Sequence, residues 1–412
     1  MNFQQAEEYL LSLELFGMRF GLDRMHRLMT VLGLPQRRFA SIHVVGSNGK
    51  SSTVRFCAAI LEREGLRTGS YTSPHLRSFR ERIEVGEEPV SEADFAAAVT
   101  RAAQAAELVN RTAEPDDEVT QFEALTAAAY HELARRGVEV AVIEAGLGGR
   151  FDATSVIPSK VQVLTSVSLE HTRWLGPTLA DIAGEKLAVV RDHGALVVGE
   201  LDPEVLELAE RAATTHHARL SIAKPTHLPL RAAGTFQQVN FGLAAAAAEA
   251  FLGRPVRDEA LKAAAAETVV QGRLEAVGER PLTLFDGAHN PSGAHALAAS
   301  LPDVFGAHRP RVAVVGVLED KDAAGMLETL LPQLDRVVFT KPGNPRALSP
   351  ATLVTLAEKL GGPPSETVAA PQAALERARE LAGPDGAVVA TGSIYLIADL
   401  VREDADARAS TL

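Results

Sequence analysis

A short glycine-containing segment near the N-terminus has the residue types and order of a phosphate-binding loop. Residues 46–51 read Gly-Ser-Asn-Gly-Lys-Ser, follow an apolar stretch and precede a predicted helix over 53–64. Glycines let backbone N–H groups face an anion at the start of a helix, where the helix dipole also favours negative charge. Lys50 would reach the terminal phosphates of a nucleotide, and the hydroxyl of Ser51 or Ser52 would lie near Mg²⁺.

Two further polar residues come directly after apolar stretches of the predicted strand type. Glu144 ends the run that begins at residue 139 and is followed by a glycine-rich turn, whereas His171 follows the run 161–167. A carboxylate beside a phosphate site suits Mg²⁺, which prefers oxygen ligands. A solvated Glu144 in a flexible turn and a purely structural His171 are the alternatives.

Lys186, Asp286 and His289 are the other candidates. Lys186 lies in a largely apolar predicted helix, where a lysine is costly unless it is paired or faces solvent. Asp286 and His289 follow a strand predicted at 282–286 and precede a helix, so they indicate a second polar site at a strand end.

These residues need elements to position them, and strand and helix patterns alternate along the chain. Alternation of this kind predicts parallel sheets covered by helices on both faces, with ligands beyond the carboxyl ends of the strands. Fourteen helices are predicted between the strands. The predicted strands are 41–45, 68–71, 139–144, 161–167, 195–198, 282–286, 311–316, 335–340 and 386–391.

The chain is too long for one hydrophobic core, so more than one domain is expected. We predict a mostly parallel, phosphate-loop type α/β domain at 1–272, a linker at 273–280 and a smaller Rossmann-like α/β domain at 281–412.

Composition excludes several classes of protein. The net charge of −12 argues against a general nucleic-acid binder, and no apolar run of 18 residues is present to span a membrane. The N-terminus has no signal-peptide pattern. The single cysteine, Cys57, rules out an intrachain disulfide and fits the reducing cytoplasm.

Taken together, the motifs resemble those of the folylpolyglutamate synthase/dihydrofolate synthase family of the Mur-ligase superfamily. The similarity covers almost the whole chain, and its specificity comes from the order and spacing of many segments. The segments are 46–51, Thr-Ser-Pro-His-Leu at 72–76, Phe-Arg-Glu-Arg-Ile at 79–83, Thr-Gln-Phe-Glu at 120–123, Glu-Ala-Gly-Leu-Gly-Gly-Arg-Phe-Asp-Ala-Thr at 144–154, His-Thr-Arg-Trp-Leu-Gly at 171–176, Gly-Glu-Lys at 184–186, Gly-Arg-Leu-Glu at 272–275, Asp-Gly-Ala-His-Asn-Pro at 286–291, Asp-Lys-Asp at 320–322 and Thr-Gly-Ser at 391–393.

The resemblance implies a ligase that uses ATP to join L-glutamate to dihydropteroate, to reduced folates, or to both, through an acyl phosphate. It also implies two Mg²⁺ ions. We further expect a cytoplasmic monomer without nucleic-acid or membrane partners. The residues that it assigns to ATP are Gly46, Ser47, Asn48, Gly49, Lys50, Ser51, Ser52, Arg273, Asp286 and His289.

The resemblance also assigns the remaining roles. Ser73, Glu144 and His171 correspond to Mg²⁺ ligands, and Lys186 to a lysine that is carbamylated in relatives. Lys50, Lys186 and His171 are the expected catalytic residues. The expected substrate-binding residues are Ser73, Pro74, His75, Thr120 and Phe122.

Some features depart from the family pattern. Ser51 follows the loop lysine where relatives usually have glycine, and Leu187 and Ala188 follow Lys186 where Ala-Gly is common. A folylpolyglutamate synthase without the dihydropteroate activity is one alternative. A cell-wall Mur ligase is another, although the 45 residues before Gly46 are too few for its UDP-binding domain. A nucleotide-binding module without catalytic activity is the third.

Overall fold

The computed structural model describes residues 1–13, 21–114 and 117–402, and it contains two sheets. The first sheet has eight strands in the order β4-β3-β2-β5-β1-β6-β7-β8. These strands are β1 (Ala40–Val45), β2 (Thr68–Tyr71), β3 (Ile83–Val85), β4 (Glu88–Pro89), β5 (Val140–Glu144), β6 (Val161–Leu164), β7 (Ala195–Val198) and β8 (Arg219–Ile222).

Strand β1 lies at the centre of this sheet, parallel to both of its neighbours. Ile42 pairs with Val142 of β5 on one side and with Val161 of β6 on the other. The six strands from β2 to β8 in the sheet order run in parallel, whereas β3 and β4 add an antiparallel edge. The carboxyl ends of β1, β2, β5 and β6 therefore meet at one edge, which is where parallel sheets bind ligands.

In the described part of the chain, ten α-helices accompany the first sheet, and β5 shows why both faces of the sheet are buried. Ala141 and Ile143 pack with one group of helices, whereas Val140 and Val142 pack with another. Side chains alternate along a strand, so a run of apolar residues without polar interruptions is buried on both sides. The helices are α1 (Phe3–Ser12), α2 (Asp23–Val31), α3 (Lys50–Arg63), α4 (Glu92–Asn110), α5 (Gln121–Arg135), α6 (Thr172–Leu175), α7 (Leu179–Leu187), α8 (Pro203–Thr215), α9 (Thr235–Leu252) and α10 (Asp258–Glu267).

The second sheet has six strands in the order β13-β12-β11-β14-β10-β9, all parallel except β9. We call this sheet and its helices the second unit, and the preceding part the first unit. The strands are β9 (Glu275–Glu279), β10 (Leu282–Phe285), β11 (Arg311–Val315), β12 (Arg336–Phe339), β13 (Ser365–Thr367) and β14 (Ala387–Thr391). The helices are α11 (Pro291–Phe305), α12 (Ala323–Leu330), α13 (Pro350–Lys359), α14 (Pro371–Ala382) and α15 (Ile394–Val401).

The structure confirms the α/β architecture with a larger and a smaller sheet, and it corrects the segment 273–280. That segment was predicted to be a linker, but most of it forms β9, the antiparallel edge strand beside β10. An edge strand has one neighbour and one open side, so its polar composition does not prevent pairing. Each of the nine predicted strands is present, and β3, β4, β8, β9 and β13 are additional.

Helix predictions agree with the structure to within a few residues at most ends. The first predicted helix, 4–16, corresponds to α1, and its last three residues lie outside the described part of the chain. Within the described residues, no helix has the length and apolar character needed to cross a membrane.

Candidate active site

The segment between β1 and α3 forms a tight loop in which two positions require glycine. Gly46 has φ of 150°, and a Cβ there would lie 1.9 Å from Thr165 Oγ1. Gly49, with φ of 84°, immediately precedes the first residue of α3. Lys50 Nζ donates to the carbonyl oxygens of Gly46 (3.0 Å) and Ser47 (3.2 Å), so its charge lies over the loop.

The loop is fixed to the end of β6 by a set of hydrogen bonds. The N–H groups of Ser47 and Asn48 donate to the carbonyl oxygen (2.8 Å) and the hydroxyl (2.9 Å) of Ser166. The hydroxyl of Thr165 donates to the Asn48 carbonyl oxygen at 2.6 Å, and Ser168 N–H donates to Ser47 Oγ at 3.0 Å. The loop is therefore anchored both at the end of β1 and to the segment that follows β6.

Glu144, the last residue of β5, lies beside this loop. It is 2% exposed and accepts hydrogen bonds from Ser51 Oγ (2.9 Å) and Ser73 N–H (3.1 Å). Burial raises the pKa of the Glu144 carboxyl above its ordinary value, although Lys50 opposes the shift. A buried carboxylate between two serines, next to a phosphate loop, is a suitable place for a divalent cation.

The ligand atoms around Glu144 fit Mg²⁺ better than a metal ion that takes all of its ligands from protein side chains. Among the described residues, no group of three or more His, Cys, Asp or Glu side chains is arranged to hold a metal ion. Mg²⁺ commonly uses one or two carboxylates, with waters and substrate phosphates as its other ligands. Glu144, with the Ser51 hydroxyl and the Ser73 backbone N–H bound to it, meets that requirement.

His171 lies in a second polar group, with Glu170 and Lys186. Lys186 is 1% exposed, and its Nζ lies 2.9 Å from the Gly46 carbonyl oxygen and 3.4 Å from Glu170 Oε1. Burial lowers the pKa of Lys186 to about 8, partly offset by Glu170. For Glu170, burial raises the pKa, but the charges of Lys186 and Lys50, together with smaller effects of neighbouring groups, outweigh burial and lower the pKa to about 2. Burial and the charge of Lys321 lower the pKa of His171 to about 4, so its imidazole is neutral at pH 7.

Asp286 and His289 belong to the second unit, and Arg273 lies just before its first strand. Asp286 is buried, and its oxygens accept from Leu274 N–H (3.0 Å) and Ala288 N–H (2.9 Å). Burial raises the pKa of Asp286, against the opposing charge of Arg273. Burial also lowers the pKa of His289 to about 4, and its Nδ1 lies 2.9 Å from the carbonyl oxygen of Gly287. The neutral ring therefore donates from Nδ1 and leaves Nε2 as an acceptor.

A cavity of about 590 Å³ lies between the two units, and it collects nearly all of the residues that the sequence singled out. Those that line it are Gly46, Ser47, Asn48, Gly49, Lys50, Ser51, Ser52, Ser73, Pro74, Thr120, Phe122, Glu144, His171, Lys186, Arg273, Asp286 and His289. Carboxyl ends of strands in both sheets thus face one space, and α11 packs against α9 at the boundary.

His75 is the exception, because the structure does not place it in the cavity wall. Its side chain is buried against Phe79, with ring centroids 4.3 Å apart, and Arg82 Nε donates to its Nδ1 at 3.0 Å. Pro74, the residue before it, does line the cavity. His75 therefore supports the wall from behind instead of facing a substrate.

Thr120 and Phe122 form another part of the cavity wall, at the start of α5. Thr120 caps this helix, and Glu123 completes the cap and accepts two 3.0 Å hydrogen bonds from Arg24 Nε. The Phe122 ring lies so close to Gly146 that a Cβ there would be 2.7 Å from its Cζ. The aromatic face of Phe122 is thus held by a fixed helix start.

The structure adds four residues that the sequence prediction did not select. Glu170 and Asn290 lie beside the phosphate loop, and Lys321 and Arg346 line the cavity from the second unit. Lys321 and Arg346 both approach Asp320, at 3.5 and 3.4 Å. The pattern of a strand followed by Asp-Lys-Asp was a signal for Lys321, whereas Arg346 stands in a stretch with no comparable motif.

Comparison with known proteins gives consistent results. Residues 272–394 match the family described as Mur ligase, glutamate ligase domain. The dihydrofolate synthase/folylpolyglutamate synthase of Mycobacterium tuberculosis is 35% identical over 384 residues, which cover 83% of this chain and 78% of that protein.

Two solved structures are similar over nearly the whole chain. The folylpolyglutamate synthase of M. tuberculosis complexed with ADP superimposes with a TM-score of 0.90 at 33% identity, covering 97% of this chain and 98% of that one. E. coli FolC in complex with DHPP and ADP gives a TM-score of 0.85 at 29% identity, covering 97% and 96%.

Proposed function

Because the chain belongs to the dihydrofolate synthase/folylpolyglutamate synthase family, we propose that it is an ATP-dependent ligase that joins L-glutamate both to dihydropteroate and to reduced folates. The observation that carries this proposal is a cavity lined by both units, whose wall includes the phosphate loop, Glu144 and Asp286. A module that only binds a nucleotide has no need for polar groups from a second unit around the same space.

The chemistry explains why such a site is needed. A carboxylate is a poor electrophile and repels the phosphates of ATP. Lys50, held over the loop carbonyls, is placed to turn toward the γ-phosphate and reduce that repulsion. A carboxylate oxygen of the folate attacks the γ-phosphorus, ADP leaves, and an acyl phosphate forms. The glutamate amine then attacks the acyl carbon, and phosphate leaves with the carboxylate oxygen.

We propose Glu144, with the hydroxyls of Ser51 and Ser73, as the holder of one Mg²⁺ ion, and His171 and Lys186 as the residues nearest a second. Mg²⁺ supplies charge neutralisation of the phosphates and of the leaving group. The support is the buried carboxylate between two serines. A shift in the Mg²⁺ concentration needed for activity in Ser73→Ala, with no shift in a surface variant such as Ser349→Ala, is the expected result.

Carbamylation of Lys186 is the finer part of this proposal. Carbon dioxide reacts with a neutral amine, and a pKa near 8 leaves a useful fraction of Lys186 neutral at pH 7.5. The carbamate is an anion, so its formation requires Glu170 to move away from Nζ. Incorporation of ¹³C from bicarbonate, observed by NMR in wild type and absent from Lys186→Arg, tests the assignment.

The glutamate substrate needs positive charge for its two carboxylates. Lys321 and Arg346 are the cations that the second unit presents to the cavity, and both are held by Asp320. We assign them to glutamate recognition. Arg346→Ala should therefore raise the KM for glutamate more than the KM for ATP, whereas equal effects on both would contradict the assignment.

Use of dihydropteroate rests on the wall formed by Thr120 and Phe122. Phe122 lines the cavity, and its aromatic ring suits stacking with a pterin ring, a contact worth about 1 kcal/mol beyond area burial. E. coli FolC, which is similar over nearly the whole chain, has been solved with DHPP and ADP. A folylpolyglutamate synthase that lacks this activity is the alternative function.

The two activities can be measured separately with dihydropteroate and with tetrahydrofolate, each with ATP and glutamate. Ligation of both is expected, and Phe122→Leu should impair the dihydropteroate reaction more. Phe251→Leu, a half-buried phenylalanine on α9 outside the cavity lining, is the matched control and should leave both rates unchanged. Reaction with tetrahydrofolate alone would establish the alternative, and equal losses in Phe122→Leu would assign the ring to packing.

We further propose that the enzyme works as a cytoplasmic monomer on these small molecules, without nucleic-acid or membrane partners. Cys57 is buried and burial raises its pKa, which fits an inert thiol in a reducing compartment. Sedimentation at assay concentration tests the monomer, and an active dimer that loses activity on dilution would contradict it.

A further inference from the structure

Asn290 lies at the point where the second unit touches the phosphate loop. It is 4% exposed and caps helix α11, because its Oδ1 accepts from Gly293 N–H at 2.7 Å. The same amide contacts the first unit. Its Nδ2 donates to Asn48 Oδ1 (3.1 Å) and to Glu170 Oε2 (3.4 Å), and Asn48 Nδ2 donates back to its Oδ1 (3.3 Å).

These contacts close a circuit of hydrogen bonds around the loop. Asn290 contacts one carboxylate oxygen of Glu170, and the other oxygen lies 3.4 Å from Lys186 Nζ. Lys186 Nζ in turn donates to the Gly46 carbonyl oxygen at 2.9 Å. The loop itself leads from Gly46 to Asn48, and Asn48 returns the circuit to Asn290. One side chain of the second unit thus contacts a loop residue directly and reaches Lys186 through a single carboxylate.

We propose that Asn290 is a positioning residue. It fixes the positions of the phosphate loop and of Lys186 when the second unit packs against the first. The proposal rests on the ligase function given above, since it assigns the effect to phosphate transfer. Asn290 touches neither ATP nor the folate in this account. It acts through Asn48 and Glu170, which belong to the first unit.

The chemistry of the side chain explains why an amide is needed. A helix cap requires only an acceptor, and Ser, Thr, Asp and Asn all supply one. The contacts with Asn48 and Glu170 also require a hydrogen-bond donor on the same side chain. The serine hydroxyl is too short to reach these partners, and an ionised aspartate has no donor. An aspartate would also place a second negative charge beside Glu170, which is buried and already fully ionised at pH 7.

The position of Asn48 allows the constraint to be transmitted. Its N–H donates to Ser166 Oγ and its carbonyl oxygen accepts from Thr165 Oγ1, so its backbone is fixed to β6. The contact with Asn290 adds a restraint from the second unit to the same residue, so its loss would loosen the loop as well as the Asn48 side chain. A shift of α11 that broke the paired amides would release the Asn48 side chain and Glu170 together, and Lys186 would lose its aligned partner.

The test uses Asn290→Ser and Asn290→Asp in the full chain. Both keep an acceptor for the α11 cap. The unfolding temperature of Asn290→Ser should therefore stay close to that of wild type, whereas the added charge in Asn290→Asp should lower it. Ser349→Ala removes the cap of α13, whose side chain accepts from Thr352 N–H at 3.1 Å, and serves as the control. It should lower stability without changing kcat.

Turnover in Asn290→Ser should fall by about 10- to 100-fold, the range typical of residues that orient others, with a smaller change in the KM for ATP. Asn290→Asp should be at least as impaired. Wild-type kcat in Asn290→Asp would show that the Nδ2 donor is not needed and would overturn the proposal. A loss confined to KM for ATP would overturn it as well.

A double-mutant cycle with Asn48→Ala isolates the pair. If the two amides act as one unit, the double variant Asn48→Ala/Asn290→Ser should be no slower than the slower single variant. Losses that multiply would mean that the two residues act independently, which the proposal does not allow.

Hydrogen exchange separates this proposal from the ligase function. Amides in a peptide covering residues 46–52 should exchange faster in Asn290→Ser than in wild type or Ser349→Ala, without substrates present. Unchanged exchange would overturn the positioning role even in an active ligase. Faster exchange in a protein that does not ligate glutamate would support the coupling and refute only the proposed reaction.

Discussion

Replacing Glu144 with glutamine should increase the free energy of unfolding and decrease activity. A residue that lowers stability but is needed for activity is present for function. The buried carboxylate accepts from Ser51 Oγ and Ser73 N–H. Glutamine has the same shape, so its Oε1 can still accept from Ser73 while its amide group donates to the Ser51 hydroxyl. The exchange removes the charge and keeps both hydrogen bonds.

The stability change follows from the direction of the pKa shift. Burial raises the pKa of Glu144 above its ordinary 4.5, so the folded state holds the proton more tightly than the unfolded state. Wild-type stability therefore falls as pH rises through the window above 4.5, and the loss persists at pH 7. Each unit of the shift corresponds to about 1.4 kcal/mol. Glu144→Gln avoids this loss at pH 7, and its advantage should vanish below pH 4.5.

The activity change follows from the lost anion beside the phosphate loop. Removing one group that stabilises transferred charge typically lowers kcat by about 100- to 1000-fold. The assays are urea unfolding at pH 7 and pH 4.5 without nucleotide or Mg²⁺, and glutamate-dependent ADP release over a range of Mg²⁺ concentrations. A variant that is less stable at pH 7, or that keeps the normal rate and Mg²⁺ dependence, would refute the reasoning.

Glu84→Gln is the matched control. Glu84 is also buried, and burial raises its pKa, but it pairs with Arg55 at 2.8 Å and is absent from the cavity lining. Its replacement should leave kcat and the Mg²⁺ dependence unchanged. A loss of activity as large as that in Glu144→Gln would show that removal of any buried carboxylate from this sheet disturbs the site.

Three further predictions concern other residues. Lys50→Met should lower kcat by about 100- to 1000-fold while shifting the unfolding temperature little, because its Nζ contacts loop carbonyls at a partly open site; steady-state kinetics and thermal unfolding check both. His43 is buried, and burial lowers its pKa from 6.5 to about 3. The free energy of unfolding should therefore fall by about 1.4 kcal/mol per pH unit as pH drops through that window. His43→Gln should flatten this dependence, as measured by urea unfolding at several pH values. Lys186→Ala should regain part of its activity with a short carboxylic acid that replaces the carbamate oxygens, whereas Lys186→Arg should not, and a fully active enzyme whose Lys186 is shown by NMR to be unmodified would contradict this.

Much of the fold was accessible from the sequence because the central strands are buried on both faces. Runs such as 140–143 are apolar without interruption, and that pattern marks a strand between two helical layers. The strands that the sequence did not reveal lie at or near the sheet edges, where a segment such as Glu275–Glu279 needs no apolar face. Composition therefore carried little information about them.

The site shows the same division. Residues at strand ends, such as Glu144 and Asp286, could be found because parallel strands bring their carboxyl ends to one edge. The contact between Asn290 and Glu170 could not, because it joins side chains 120 residues apart across two units. His75 lies next to Pro74 in a motif, yet only the fold shows that its ring turns inward to Phe79.

The central claim is that the folate carboxylate is activated by phosphate transfer in the shared cavity. The most direct measurement uses dihydropteroate labelled with ¹⁸O in its carboxylate, together with ATP, Mg²⁺ and glutamate. The account predicts one labelled oxygen in the inorganic phosphate for each glutamate joined, since the acyl phosphate loses that oxygen to the leaving group. The second labelled oxygen should stay in the amide carbonyl of the product. Inorganic phosphate without label, or label in AMP, would contradict the account.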